Sequence, residues 1–455
     1  MSSALSGQKV LVFGLAKSGV AAIRLLLAQG AQVTALDARD EATLGEVARE
    51  LKGQGVKLVT GPTPAGLLQA QHLVVVSPGV PLVLPELKAA RAAGIPIWGE
   101  IELAARLLTG VPFIGITGTN GKSTTTALTG ELFARGGGRT FVGGNLGRPL
   151  AEAALTPKDW DTLVVELSSF QLEGIEQMRA RGAAILNLQP DHLDRYENQE
   201  AYGQAKARIF LNQAEGDYAV VNAEDAHVMK LALQARVPVY GFSLTGAVAE
   251  GGPQLAGLAV AHQGGFRLGF LGEEYTLKSR SLRGAHNAAN AMAATLLARL
   301  GAVPREAVQA GLDGYPGLPH RMESVRVLEG VEWVNDSKAT NVDSVLVALR
   351  AFPGKLLLIA GGKGKGAPYQ PMVDEGRGKV AAVLTIGQDA DTLAAAYQGV
   401  APVHPCGTLE AAVRKARELA KSGDTVLLSP ACASYDQFKN FEDRGDTFKR
   451  LVQAL

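Results

Sequence analysis

The chain has 455 residues, enough for about three domains of ~150 residues. Apolar residues make up 47% and charged residues 20%, which excludes general disorder, and two cysteines without a CxxC exclude a disulfide scaffold and a cysteine-based zinc site. Lys plus Arg number 45 against 44 Asp plus Glu, so a net charge of +1 offers no long-range field to nucleic acid or an anionic membrane, and any polyanion must be bound locally.

Short apolar runs alternate with helical patterns along most of the chain, the pattern of an α/β protein. Lys9 to Phe13 (KVLVF) reads as a strand, Gly14 to Gly19 as a turn, and the next stretch as an amphipathic helix through Ala28. Lys9, Lys17 and Arg24 interrupt the apolar character of this region, so a strand-turn-helix is expected and not a signal peptide. No apolar run reaches ~18 residues, so no membrane insertion is expected and a cytoplasmic protein is. QVTALD ends a second strand at Asp37, and LVVVS (73–77) and IPIW (95–98) complete a first unit of about 100 residues. The turn lacks the middle glycine of GxGxxG, since Ala16 stands there, while Asp37 suits a ribose hydroxyl. A nicotinamide dinucleotide or another diphosphate-bearing nucleotide fits this pattern, with Ser77, Pro78 and Gly79 on the same sheet edge.

A second unit starts near Ile101. VPFIGITG (111–118) runs into Gly118, Thr119, Asn120, Gly121, Lys122, Ser123 and Thr124, followed by a helix to about Arg135. A glycine loop between strand and helix lets backbone N–H groups converge on phosphate, and the helix start adds its dipole. Lys122 is placed for the β/γ-phosphates and the Ser123 hydroxyl for Mg²⁺, although only two residues separate Gly118 from Gly121. TLVVEL (162–167) and AAILNL (183–188) read as buried strands. Glu166 ends the first of these, and Asp191 and His192 follow the second, so both groups line the sheet edge beside Lys122. Residues 243–280 predict a small antiparallel patch, Gly284 to Leu300 an Ala-rich helix, and Gly311 to Pro319 a linker.

Beyond the linker, His320 and Arg321 suit a phosphate or carboxylate. VEWVND, KLLLIAGG, VAAVLTIG and DTVLLSP recur with helices between them and form a third α/β unit. Three polar or glycine-rich loops end its strands: Asn335 to Asn341, Gly361 to Gly366, and Ser429 to Phe441. They are expected to gather at one rim, with Ser434 capping the final helix.

Taken in order, GTNGKST, ELSSFQLE, the Asp191-His192 pair, GLPHRME, NDSKATN and SPACASYDQFKNFEDRG resemble the Mur ligase family over essentially the whole chain. The resemblance implies three α/β domains: a Rossmann-like UDP-binding domain (1–100), a central P-loop ATPase-like domain with a mostly parallel sheet (101–316), and a Rossmann-like amino-acid-binding domain (317–455). It implies an ATP-dependent amide-bond ligase of peptidoglycan precursor synthesis, and the quoted motifs look like the member that adds D-glutamate to UDP-N-acetylmuramoyl-L-alanine. Gly118 to Thr124, His320, Arg321 and Asp336 would bind ATP. Ser123, Glu166, His192 and Lys206 would organise two Mg²⁺ ions, with Lys206 carrying a carbamate formed from CO₂; from the sequence alone Lys206 reads as a solvated helix lysine. Lys122, His192 and Lys206 would be the catalytic residues. Leu15, Ala16, Asp37, Arg39, Ser77, Gly79, Asn145 and His192 would hold the muramoyl substrate, and Thr340, Lys365, Ser434 and the backbone of Phe441 the D-glutamate. The sequence departs from the family pattern at Ala16 and Lys363. Small-molecule substrates, a monomer and no nucleic-acid partner are expected. A different family member, a folylpolyglutamate synthase, a nicotinamide-dependent oxidoreductase and a non-enzymatic nucleotide switch are the other readings.

Overall fold

The computed structural model describes residues 5–192 and 195–455, so Asp194 of the DHLDRY segment lies outside the described residues. The chain divides into two compact units. The first runs to Thr276 and takes up Ala289–Leu312; the second holds Leu277–Ala288 and Asp313–Leu455.

The first unit contains two sheets. Strands β1 (Lys9–Phe13), β2 (Gln32–Asp37), β3 (Lys57–Thr60), β4 (Leu73–Val76) and β5 (Ile97–Gly99) form a parallel sheet in the order β3-β2-β1-β4-β5. Valine and leucine fill both faces of β1 and β4, as a sheet covered on both sides requires. The order reverses at β1, which opens a crevice between the carboxyl ends of β1 and β4. Gly19, in the first turn of the helix Lys17–Ala28, lets that helix approach the strand end, because a Cβ there would come within 1.9 Å of the Gly14 carbonyl oxygen.

The second sheet has nine strands: β6 (Phe113–Thr117), β7 (Thr140–Gly144), β8 (Thr162–Glu166), β9 (Gly182–Ile185), β10 (Tyr218–Asn222), β11 (Val239–Ser243), β12 (Gly257–His262), β13 (Gly265–Leu268) and β14 (Glu273–Thr276). Their order is β14-β13-β12-β11-β10-β9-β6-β8-β7. Strands β6 to β12 pair parallel, and only β12-β13 and β13-β14 pair antiparallel. The antiparallel patch expected over 243–280 is therefore an edge of this sheet, joined to it by the parallel β11-β12 pair.

The expected linker is shorter than the sequence suggests. A helix spans Arg305–Gly314, so Gly311 to Gly314 belong to its last turn. Gly311 packs against Leu132, where a Cβ would meet the leucine Cδ2 at 2.4 Å. The glycine there serves close packing, and the extended run begins at Tyr315.

In the second unit β15 (Glu323–Leu328), β16 (Val331–Asn335), β17 (Leu356–Gly361), β18 (Val380–Ile386), β19 (Val403–Gly407) and β20 (Thr425–Leu428) are ordered β15-β16-β20-β17-β18-β19. Only β15 runs antiparallel to its neighbour. Because β16, β20 and β17 are adjacent and parallel, their three carboxyl-end loops share one rim. The last helix, Phe441–Gln453, is capped by Asn440, whose side chain accepts from the Asp443 N–H at 2.7 Å. Ser434 does not cap it, since a cap must directly precede the first helical residue with extended backbone, as Asn440 does. Among the described residues no helix is long and apolar enough to cross a membrane.

Candidate functional site

In the central sheet β9, β6 and β8 lie side by side, so the segments that follow them meet at one edge. The loop after β6 turns at Gly118 (φ +149°) and Gly121 (φ +84°), backbone that favours glycine, and the helix Lys122–Arg135 starts directly behind it. A Cβ on Gly118 would crowd Leu186 Cβ at 3.0 Å, and one on Gly121 would meet Asn290 Oδ1 at 2.3 Å. The loop is fastened to the segment after β9. The Thr119 N–H donates to the Asn187 carbonyl (3.1 Å), the Asn120 N–H to Asn187 Oδ1 (2.8 Å), and the Gln189 N–H to Thr119 Oγ1 (3.0 Å). Behind the loop, Thr125 Oγ1 donates to Asn290 Oδ1 at 3.2 Å. Lys122 Nζ donates to the carbonyls of Gly118 (2.9 Å) and Thr119 (2.8 Å), which holds its charge at the mouth of the loop. Sequence reading missed Asn187, Gln189 and Asn290; their amide chemistry beside a glycine loop is the only signal, and chain distance hides it.

Glu166 is 2% exposed at the end of β8. Its Oε1 accepts from Asn145 Nδ2 at 2.7 Å, while its Oε2 is buried with no hydrogen-bond partner among the described residues. An orphaned carboxylate oxygen at this depth is costly unless a cation meets it. Lys206, on the helix Gln199–Ala207, is 1% exposed, so it is not the solvated helix lysine of the sequence reading. Its Nζ donates to the Gly118 carbonyl at 2.9 Å and lies 4.4 Å from the centroid of the Tyr202 ring. Among the described residues no carboxylate forms an ion pair with it. Burial, helped by the Lys122 ammonium, pushes its amine down to about 7, so near neutral pH much of it is uncharged and nucleophilic. His192 has a left-handed backbone (φ +52°) and a half-exposed ring 4.8 Å from Phe170 and 6.0 Å from Tyr202. Among the described residues no three His, Cys, Asp or Glu side chains converge as a ready metal cluster. The donors that do fit a divalent cation are hard oxygens: the free Oε2 of Glu166 and the Ser123 hydroxyl at the helix start.

The crevice of the first sheet gathers the other predicted group. The Leu15 N–H donates to Asp37 Oδ2 (2.7 Å), and Arg39 holds both Asp37 oxygens through Nε (2.9 Å) and Nη2 (2.8 Å). The guanidinium lowers the Asp37 carboxyl to about 2. Ser77 Oγ donates to the Gly14 carbonyl at 2.7 Å, joining the loops after β1 and β4, with Ala16 at the start of the following helix and Gly79 exposed beside them. Two bonds tie this rim to the central one: Lys17 Nζ to the Gly147 carbonyl (2.5 Å) and Arg195 Nη1 to the Pro78 carbonyl (3.1 Å). Asn145 sits at that junction, its N–H donating to the Glu166 carbonyl at 2.9 Å.

In the second unit, Asp336 directly follows β16 and is buried. Its Oδ2 accepts from Ser429 Oγ (2.7 Å), its Oδ1 from the Met322 N–H (3.2 Å), and burial pushes its carboxyl up to about 7. His320 is buried with φ +62°, its Nδ1 3.1 Å from Asn335 Nδ2 and its pKa below the ordinary imidazole value through burial; Arg321 follows it, half-buried. Thr340 is half-buried, Lys365 exposed and Ser434 buried on the shared rim. The Phe441 carbonyl accepts from Ser337 Oγ at 2.8 Å. Arg444, which the sequence reading quotes only within SPACASYDQFKNFEDRG and gives no role, is 1% exposed here.

Three family models together cover most of the chain. Residues 8–99 match the Mur ligase MurD-like N-terminal domain, 116–298 the Mur ligase middle domain, and 320–432 the Mur ligase glutamate ligase domain. The chain is 74% identical to the UDP-N-acetylmuramoylalanine–D-glutamate ligase of Myxococcus xanthus, covering all of both chains. It is 54% identical to the enzyme of the same name from Anaeromyxobacter dehalogenans, covering 98% of each. Among solved structures, the pseudomurein peptide ligase type C of Methanothermus fervidus superposes with a TM-score of 0.57 at 19% identity, over 98% of this chain and 100% of that one, which shows a shared fold. The UDP-N-acetylmuramate–alanine ligase MurC of Thermotoga maritima gives the same score at 18% identity, over 98% and 99%. By its relatives and by all three matched domains, the chain belongs to the Mur ligase family.

Proposed function

We propose that this chain joins D-glutamate to UDP-N-acetylmuramoyl-L-alanine in peptidoglycan precursor synthesis, with ATP as the energy source and an acyl phosphate between the two half-reactions. The observation that carries the reading is the pairing, at one sheet edge, of a glycine-built phosphate loop with a buried carboxylate whose second oxygen has no partner among the described residues. The identity of the named relatives adds the substrates.

A carboxylate is a poor acyl donor at neutral pH, and ATP supplies the missing leaving group. The alanine carboxylate oxygen attacks the γ-phosphorus in line, ADP departs, and a C–O–P linkage forms. Lys122, already held at the loop mouth by two carbonyls, neutralises charge on the transferring group. The D-glutamate nitrogen then attacks the acyl carbon, phosphate leaves with the C–O electron pair, and the nitrogen gives up a proton. Bound Mg²⁺ supplies Lewis-acid stabilisation of the phosphate oxygens. Ser123, Glu166, His192 and Lys206 are the residues that would hold two such ions. The neutral Lys206 amine would add through nitrogen to the carbon of CO₂ and release one proton, and the resulting carbamate would supply an anionic oxygen for a cation where the lysine had only a neutral or positive nitrogen.

The crevice residues Leu15, Ala16, Asp37, Arg39, Ser77 and Gly79 take the UDP end, and Asn145 and His192 the muramoyl-alanine end. Gly118 to Thr124 take the ATP phosphates, with His320, Arg321 and Asp336 offered to the nucleotide. Thr340, Lys365, Ser434 and the Phe441 backbone take D-glutamate. Domains of 1–100, 101–316 and 317–455, a monomer and a cytoplasmic location complete the reading. Phosphate release with ATP, Mg²⁺ and UDP-N-acetylmuramoyl-L-alanine, run against a panel of amino acids, tests it. D-glutamate alone should give substantial turnover; neither ADP nor a new peptide linkage would overturn it.

A further inference from the structure

Arg444 is placed against three energetic costs. Its side chain is 1% exposed, and among the described residues no carboxylate forms an ion pair with it. It also lies in the first turn of the helix Phe441–Gln453, where the helix dipole disfavours a cation. What it does bond is the rim, through one hydroxyl and two backbone carbonyls. Nε donates to Ser337 Oγ (2.9 Å), Nη2 to the Ser337 carbonyl (2.9 Å), and Nη1 and Nη2 both to the Cys432 carbonyl (3.1 Å each). The third loop passes close beside it: a Cβ on Gly362 would come to 3.3 Å from Nη1. Ser337 passes the connection on, since its hydroxyl donates to the Phe441 carbonyl at 2.8 Å.

We propose that Arg444 is a positioning residue that locks the three strand-end loops of the third sheet into the shape of the amino-acid pocket, working through Ser337. Thr340, Lys365, Ser434 and Phe441 each lie two or three residues from a group that Arg444 bonds, packs beside or shares a helical turn with: Ser337, Gly362, Cys432 and Arg444 itself. The planar fork explains why arginine stands there. It meets two carbonyls and a hydroxyl at once, which a lysine ammonium on a flexible stem or an apolar side chain does not do. The inference deepens the proposed function and rests on its assignment of the amino-acid pocket to this rim.

The test is steady-state phosphate release by full-length Ser337→Ala and Arg444→Met, varying one substrate at a time, with thermal unfolding recorded for each. Ser337→Ala removes one hydrogen-bonded hook and should raise the KM for D-glutamate about three- to tenfold, with kcat, the KM values for the other two substrates and the unfolding midpoint little changed. Arg444→Met should raise it at least about tenfold. An unchanged amino-acid KM in folded Ser337→Ala, or an equal rise in all three KM values, overturns the proposal; if Arg444→Met fails to fold, Ser337→Ala decides alone. A wild-type enzyme that prefers another amino acid sinks the D-glutamate assignment, and the clamp is then judged on that amino acid's KM. A wild type accepting none overturns both.

Discussion

Lys206→Met should make the metal-free protein more stable while abolishing catalysis. The lysine amine is driven from 10.5 to about 7 by burial and by Lys122, a displacement equivalent to roughly 4–5 kcal/mol of penalty on the charged form. Methionine fills similar space without that charge, and the loss of the Lys206 bond to the Gly118 carbonyl, which keeps Lys122 as a donor, returns only about 1–2 kcal/mol of the gain. A net advantage of about 2–4 kcal/mol is expected at pH 6, where the wild-type amine is protonated both folded and unfolded. Between about pH 7 and 10.5 the unfolded chain binds the proton more tightly than the folded one, so wild-type stability rises with pH. The advantage of the variant should accordingly shrink by about 2–3 kcal/mol from pH 6 to pH 9. Urea denaturation in chelator-treated, CO₂-depleted buffer at the two pH values measures it. A variant less stable than wild type at pH 6, or a difference indifferent to pH, would refute the argument that a buried amine with no carboxylate partner among the described residues is held ready here.

Lys122→Ala should lower kcat by about 10²–10³ if its ammonium stabilises the transferring phosphoryl group, and near-wild-type turnover would remove it from that role. Glu166→Gln keeps the size of the side chain and an acceptor for Asn145 but loses the anion; a Mg²⁺ titration should show a markedly higher half-activating concentration, whereas an unshifted curve would separate Glu166 from the metal. Asp37→Asn frees the Arg39 fork and should raise the KM for the UDP substrate about tenfold without moving that for D-glutamate. Because the wild-type carboxyl is held near 2, its contribution is fully present above about pH 4, so this KM should not respond to Asp37 ionisation between pH 5 and 9.

The local order of the chain fixes a good deal by itself. Alternating apolar runs and helices, the glycines at 118 and 121 before Lys122, and the acidic or polar residues that end each strand follow from short-range rules of backbone freedom and side-chain burial. Those rules place Lys122 at a helix start and Glu166 and Asp37 at strand ends without any knowledge of neighbours. Tertiary structure alone decides which strand ends become neighbours, because parallel pairing joins segments far apart in the chain: β6 to β8 and β9, and β16 to β17 through β20. It alone converts Lys206 from a plain helix lysine into a buried amine, fastens the phosphate loop through Asn187 and Asn290, and turns Arg444 inward. Burial and long-range hydrogen bonding depend on what the rest of the chain packs against a side chain, and no window of adjacent residues contains that information.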